Sequence, residues 1–266
     1  MSETLEMGIL PSGYVSNTQI EMMRKCPQQY YYRYVRGIKL PPPFAIVKGT
    51  AGHSALNTYF RIKGTQKTDM LQDEFIDCFE TELETACKNA QDNFGEVDTT
   101  VTENKEKVKK PLQELKDKAK NETIPSLKVY HAEQLPQLMP VECEQLHEIK
   151  LSTGLIIVAK QDYKDDKQII DFKFSSRMET VTKPTNQLLI YSLLDPLLEV
   201  RLDRIITKGK YQTIPLGTPK KAIVGECLRE YDDISKIIRT GVVWRNEGFN
   251  GINCSICGYK SICHTI

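Results

Sequence analysis

The stretch "IIDFKFSS", residues 169–176, decides how this chain folds. In a β-strand, positions i and i+2 point to the same face, so Asp171 and Lys173 share one side while Phe172 and Phe174 take the other. A strand built this way is either half-exposed with a salt bridge, or it carries a site. The preceding strand, "GLIIVAKQDYK", joins it through the polar turn "KDDKQ", which fits an antiparallel hairpin. A turn centred on Asp166 and Lys167 places Asp162 directly opposite Asp171. A turn centred one residue earlier displaces Asp162 along the strand. Directly opposed residues have Cβ atoms about 5 Å apart, and two carboxylates that close are costly unless something positive lies between them. Hard oxygen donors suit Mg²⁺ or Mn²⁺. The bland alternative is that Lys173 neutralises one carboxylate and solvent screens the other; the hairpin alone does not choose.

Around this hairpin the chain has 266 residues, enough for one large domain with a buried core. Apolar residues make up 40% and charged residues 27%, as expected for a globular protein. No apolar run approaches the roughly 20 residues of a membrane span. The N-terminal lead has neither a basic region nor a long apolar segment, so the expectation is a cytoplasmic protein without a membrane partner. The net charge is +1, so any hold on phosphate must come from a local patch.

Outward from the hairpin, "SNTQIEMMRKCPQQYYYRYVRG" predicts a helix ending at Gly37, and "HSALNTYFRI" predicts the start of a second. Residues 62–126 are rich in Lys, Glu, Gln and Asp at helical spacing and predict a solvent-facing helical insertion. From about residue 127, "LKVYHAEQL", "PVECEQLHEIKL" and the two hairpin strands predict successive strands. "TNQLLIYSLLDPLLE" returns to a helical period, "EVRLDRIITKGKYQTIPL" predicts one or two strands, and "AIVGECLREYDDISKIIRTGVVWR" a long helix. The absence of repeats and low-complexity linkers predicts a single domain over residues 1–266.

Four short motifs in order carry a resemblance. Gly49 and His53 in "GTAGH", Asp162, the Asp-x-Lys of "DFK" at 171–173, and Gln187 and Tyr191 in "QLLIY" together resemble the RecB-like branch of the PD-(D/E)XK nucleases. One departure is Ala159, where that family usually has glycine. The resemblance implies an α/β (α+β) restriction-endonuclease-like core, a central mixed β-sheet flanked by helices, and a Mg²⁺- or Mn²⁺-dependent exonuclease acting on DNA, with single strands or free ends as substrate. It implies that His53, Asp162, Asp171 and the Phe172 carbonyl bind the metal. Lys173 would orient the attacking water and offset phosphate charge, and Gln187 and Tyr191, one helical turn apart, would position the site or the strand. The rival expectations are a non-catalytic DNA-binding or assembly subunit that keeps the fold, and an interaction module stabilised by zinc.

Eight cysteines are many for a chain without an export signal, and clustered ones point to metal. "CSICGYKSIC" sets Cys254, Cys257 and Cys263 in a C-x2-C-x5-C array, and Cys26 is the candidate fourth ligand. The arrangement resembles that of AddB-type and CRISPR-associated exonucleases, which implies a 4Fe–4S cluster; Zn²⁺ is the runner-up. Such a clasp would tie the first helix to the C-terminal segment. Cys78, Cys87, Cys143 and Cys227 are scattered and predict ordinary packing.

Overall fold

The computed structural model describes residues 10–103 and 106–263; most of the N-terminal lead lies outside them. A short strand, β1 (Val15–Ser16), leads into α1 (Asn17–Lys25), where the Ser16 Oγ accepts the Gln19 N–H at 3.4 Å as an N-cap. The single helix expected here breaks at Cys26, which is extended at φ −164° and ψ 109°. Pro27 is the cause, since its ring excludes the residue before it from helical geometry. A new short helix, α2 (Pro27–Tyr30), then runs into one π turn at Tyr31–Val35.

The next helix, α3 (Phe44–Gln66), begins well before the predicted start near His53. After α4 (Gln72–Phe94) comes a hairpin that the charged composition concealed, β2 (Thr100–Glu103) and β3 (Glu106–Lys109), and then α5 (Leu112–Glu133). The segment expected to be helical and solvent-facing therefore contains a hairpin, and its helices carry much of the core. Phe75, Phe79 and Leu83 of α4 and Leu127 and Tyr130 of α5 are fully buried. Residues 127–133, predicted as a strand, are instead the last turns of α5. Leu115, Ala119, Thr123, Ser126, Leu127, Tyr130 and His131 are its buried residues, and their helical spacing joins the last turns to the helix before them.

The remaining strands are β4 (Glu142–Lys150), β5 (Ile156–Lys164), β6 (Gln168–Ser175), β7 (Glu199–Ile206) and β8 (Lys210–Pro215). They form one mixed sheet in the order β1-β5-β6-β7-β8, with β4 also paired to β5. Only β1–β5 and β6–β7 are parallel. A parallel step needs a crossover, and α6 (Asn186–Tyr191) lies in it, followed after β8 by α7 (Lys221–Thr240). Helices α3, α4 and α5 cover one face of the sheet around Phe60, Tyr163, Ile170 and Phe172. Helices α1, α6 and α7 cover the other around Val15, Ile157, Leu189 and Tyr231. The expected central mixed sheet flanked by helices is present. Among the described residues, no helix is long and apolar enough to cross a membrane. The C-terminal segment holds two single-turn helices, α8 (Ile252–Ser255) and α9 (Lys260–Cys263).

Candidate active site

The β5–β6 hairpin pairs Tyr163 with Ile170 and Lys164 with Ile169, which is the register of a turn centred on Asp166 and Lys167. Asp165 fixes that turn, its Oδ1 accepting the N–H groups of Lys167 at 2.8 Å and Gln168 at 2.9 Å. Continued by one step, this register sets Asp162 across from Asp171, but the ladder stops at Tyr163. There the strands part. Asp162 Oδ2 accepts the Phe172 N–H at 2.8 Å, and further along β5 the short strand β1 pairs with Ile157 and Val158.

A second irregularity lies at the same point. Ile157 packs with the α1–α6–α7 cluster, and strict alternation would send Tyr163 the same way, yet Tyr163 packs with Phe60 on the opposite face. Strand β4 reverses in step, with Ile149 against the first cluster and Cys143 against the second. The reversal is at Glu144, opposite Asp162, where the ladder skips from Cys143–Tyr163 to Gln145–Gln161. Glu144 takes φ 50° in the left-handed region, costing on the order of 1 kcal/mol or more for a residue with a Cβ.

This distortion brings two carboxylates to one imidazole. His53 Nδ1 lies 3.6 Å from Glu144 Oε1 and 3.6 Å from Asp162 Oδ2. The donor atoms of His53, Glu144 and Asp162 all fall within 4.8 Å of one another, the one such trio of His, Cys, Asp or Glu among the described residues. Helix α3 reaches the sheet because of Gly52, where a Cβ would sit 2.1 Å from the Phe174 ring. Gly49, singled out by the motif, has open space at that position. The close approach is therefore made by the glycine beside His53.

On the neighbouring strand, Lys173 Nζ lies 2.8 Å from Asp171 Oδ1 and 3.1 Å from Gln187 Oε1. Gln187 Nε2 donates to the Tyr191 hydroxyl, which donates to the Lys160 carbonyl, so α6 closes the gap where β5 and β6 part. Asp171 is fully buried, and its Oδ2 has no hydrogen-bond partner. His53, Glu144, Asp162, Lys173 and Gln187 line one cavity of about 580 Å³. Asp171 and Tyr191 connect to it through Lys173 and Gln187. Phe172 contributes its N–H.

The charges are strained against one another. Burial, with Asp171 adding to it, pushes the Asp162 carboxyl up to about 7. Burial opposes charge on His53, but Glu144 and Asp162 outweigh it and raise the imidazole above its ordinary value. Glu144, although half-buried, is held below the usual carboxylate range by His53 and Lys160. Burial, then Asp162 and Asp171, raise the Tyr191 phenol far up, so it stays a neutral donor.

Glu144 is the residue that sequence reasoning passed over. "VECEQLHEIK" shows an acid on a strand beside Asp162, but regular alternation leaves it on an edge strand with no reason to turn inward. Only the paired reversal of β4 and β5 turns it in.

Outside this site, Cys26, Cys254, Cys257 and Cys263 line a single cavity with Gln29, Tyr32 and Tyr259. Gln29 Nε2 donates to Cys257 Sγ at 3.1 Å, and the Asn246 N–H to Cys26 Sγ at 3.5 Å. The remaining cysteines pack into the hydrophobic clusters. Burial pushes the Cys143 and Cys227 thiols up to about 12, as suits inert packing.

A sequence model of the PD-(D/E)XK nuclease superfamily matches residues 14–264, and the chain belongs to that superfamily. Among solved structures it is similar in fold to a protein from Eubacterium rectale described as "Putative exonuclease". That likeness has a TM-score of 0.55 and 13% identity, covering 94% of this chain and 87% of the other. A second structure, SSO0001, is 15% identical over 93% of this chain and 96% of its own, with a TM-score of 0.33. No curated relative matches the chain significantly in sequence.

Proposed function

We propose that the chain is a divalent-metal-dependent deoxyribonuclease of the RecB-like type, degrading DNA from its ends. The observation that carries this reading is the meeting of His53, Glu144 and Asp162 beside the Asp171–Lys173 pair in one cavity. Membership in the nuclease superfamily supports hydrolysis of phosphodiesters, and the exonuclease description of the structural neighbour supports action from ends.

The donor set fits Mg²⁺ or Mn²⁺. It is one imidazole with hard carboxylate oxygens, with burial and then Asp171 raising the Asp162 pKa and one buried Asp171 oxygen left without a partner. His53, Asp162 and Asp171, with Glu144 and the Phe172 carbonyl, would hold the ion. When bound, it supplies a Lewis acid and an acidified water. The protein's own part is positional. Asp171 and Gln187 fix the Lys173 ammonium from two sides, so that it faces the cavity to orient water and offset charge gathering on the phosphate. Tyr191 anchors Gln187 against the β5 backbone, so the cation does not have to be organised during the reaction.

The four clasp cysteines line one cavity and would hold a 4Fe–4S cluster, with Zn²⁺ as the runner-up. Hydrolysis moves no electrons, so the cluster's role is structural.

The test is an assay of anaerobically purified protein on end-labelled single- and double-stranded DNA with Mg²⁺ or Mn²⁺. Metal-dependent shortening from the ends is expected. Intact label and intact DNA under every condition would leave the non-catalytic DNA-binding subunit as the better account.

A further inference from the structure

Beside the candidate active site lies a second cavity, of about 430 Å³, between α1 and β5. The two share Thr18, Lys160 and Gln187 as a common wall. Gln187 is the residue that holds Lys173, so whatever fills the second cavity lies next to the group facing the reacting phosphate.

The lining has a distinct chemistry. Tyr14 and Leu146 stand at its mouth, 37% and 58% exposed, and Ile190 gives it an apolar interior wall. Tyr34 adds a second ring, with the Arg33 guanidinium 5.7 Å from its centre. Gln19, only 2% exposed, also lines the cavity, and its Oε1 has no hydrogen-bond partner. Aromatic faces, one unspent buried acceptor and a cation at the rim are complementary to a flat base with donor edges and a phosphate attached. With a net charge of +1 the chain has no long-range field to hold DNA, so affinity must be concentrated in such local contacts. Arg33 also lines the next concavity, bounded by Pro41, Pro43 and Tyr259, which continues the path toward the cysteine clasp.

We infer that this cavity seats one unpaired base of the DNA strand, next to the phosphate being cut, and that the protein therefore acts on a single-stranded stretch. The inference rests on the nuclease reading above. A base paired within a duplex presents only its edges in the grooves, and it enters such a cavity only after leaving the stack. Stacking against an aromatic residue contributes about 1–3 kcal/mol per base and tolerates any sequence. The cavity thus selects strandedness and not sequence.

The experiment uses the full chain with Ca²⁺ replacing Mg²⁺ or Mn²⁺, and reads anisotropy of short labelled oligothymidylates carrying one abasic site at successive positions. In the parent, one position is expected to weaken binding about tenfold when its base is removed, the equivalent of 1.4 kcal/mol. In Tyr14→Ala, overall single-strand affinity falls by a similar factor, and the abasic site at that position costs nothing more. Tyr14→Phe keeps the parent pattern, and Leu146→Glu, at an exposed position, weakens single strands without changing blunt-duplex binding. Parent-like affinity and abasic pattern in both Tyr14→Ala and Leu146→Glu would overturn the subsite while leaving cleavage by the parent intact. A parent that neither binds nor cleaves any DNA removes both the subsite and the nuclease reading.

Discussion

The two candidate metal-binding regions are built on opposite terms. The active-site residues stand on long elements that pack for other reasons. His53 rides a helix of 23 residues whose buried face includes Leu56, Tyr59 and Phe60, and Asp162 and Asp171 sit on strands within the sheet. The clasp has little of its own. Helices α8 and α9 are four residues each and bury none of them, and the main tertiary anchor is Tyr259, stacked on Tyr32 at 5.6 Å and bonded to the Ile38 carbonyl. The fold makes the first site before any metal arrives; in the second, the proposed cluster would have to hold the local fold together. The first should therefore fail in chemistry and the second in stability.

The largest effect expected from this contrast is on turnover. Lys173→Ala removes a cation held by Asp171 and Gln187, and Asp171→Asn removes the charge that holds it. Each should slow cleavage by about a hundredfold or more. Lys173 is 42% exposed in its side chain, so its loss should shift the melting temperature little. Near-parental turnover in either variant with Mg²⁺ present would break the comparison at its first half.

The clasp tests the second half. Cys26 lies more than two hundred residues from Cys254, and closing so long a loop stabilises by about 5 kcal/mol in a chain-entropy account. Each of Cys26→Ser, Cys254→Ser, Cys257→Ser and Cys263→Ser should lower the melting temperature of anaerobic protein by roughly 10 °C, with loss of the brown visible absorbance. Cleavage per folded molecule should persist. Cys78→Ser, outside the clasp, should keep the colour. An anaerobic preparation reconstituted with iron and sulfide that retained only zinc would replace the cluster without touching the active site.

A smaller effect sharpens the composition of the metal centre. Glu144→Gln removes one negative charge from the trio while keeping its shape, so metal affinity should fall about tenfold, the scale on which individual groups around a metal act. Direct titration of metal binding checks this without reliance on turnover. An unchanged affinity would restrict Glu144 to its ion pairs with His53 and Lys160.

What the sequence made legible follows the same division. The hairpin and the shared face of Asp171 and Lys173 depend on local periodicity and are visible in residues 162–176; the choice between its two registers and the contact of Gln187 with Lys173 depend on tertiary packing. The inward turn of Glu144 depends on two strands reversing together, which neither strand's own pattern encodes. The burial of α4 and α5 was hidden because their charged residues dominate the composition, while a few aromatics at helical spacing decide the packing. Residues 127–133 read as a strand because "LKVY" taken alone favours one. Its continuity with the helix before it runs through Pro125, a residue that usually ends a helix and here lies inside one.

The smallest effect concerns Tyr191, whose hydroxyl links Gln187 to the Lys160 carbonyl at the place where β5 and β6 part. Tyr191→Phe keeps the ring, which is 1% exposed, and removes only the link. The Lys160 carbonyl and the Gln187 amide each lose a partner, at a cost of about 1–3 kcal/mol and a few degrees in melting temperature. Turnover should fall only several-fold, because Lys173 keeps its bond to Asp171 while Gln187 loses its fixed position. The double variant separates positioning from plain packing. If Tyr191 acts on the reaction through Gln187, then Tyr191→Phe combined with Gln187→Ala should be no slower than Gln187→Ala alone, although less stable. Rate losses that multiply would mean that the Tyr191 hydroxyl acts separately, and that the gap between the two strands is itself part of the site.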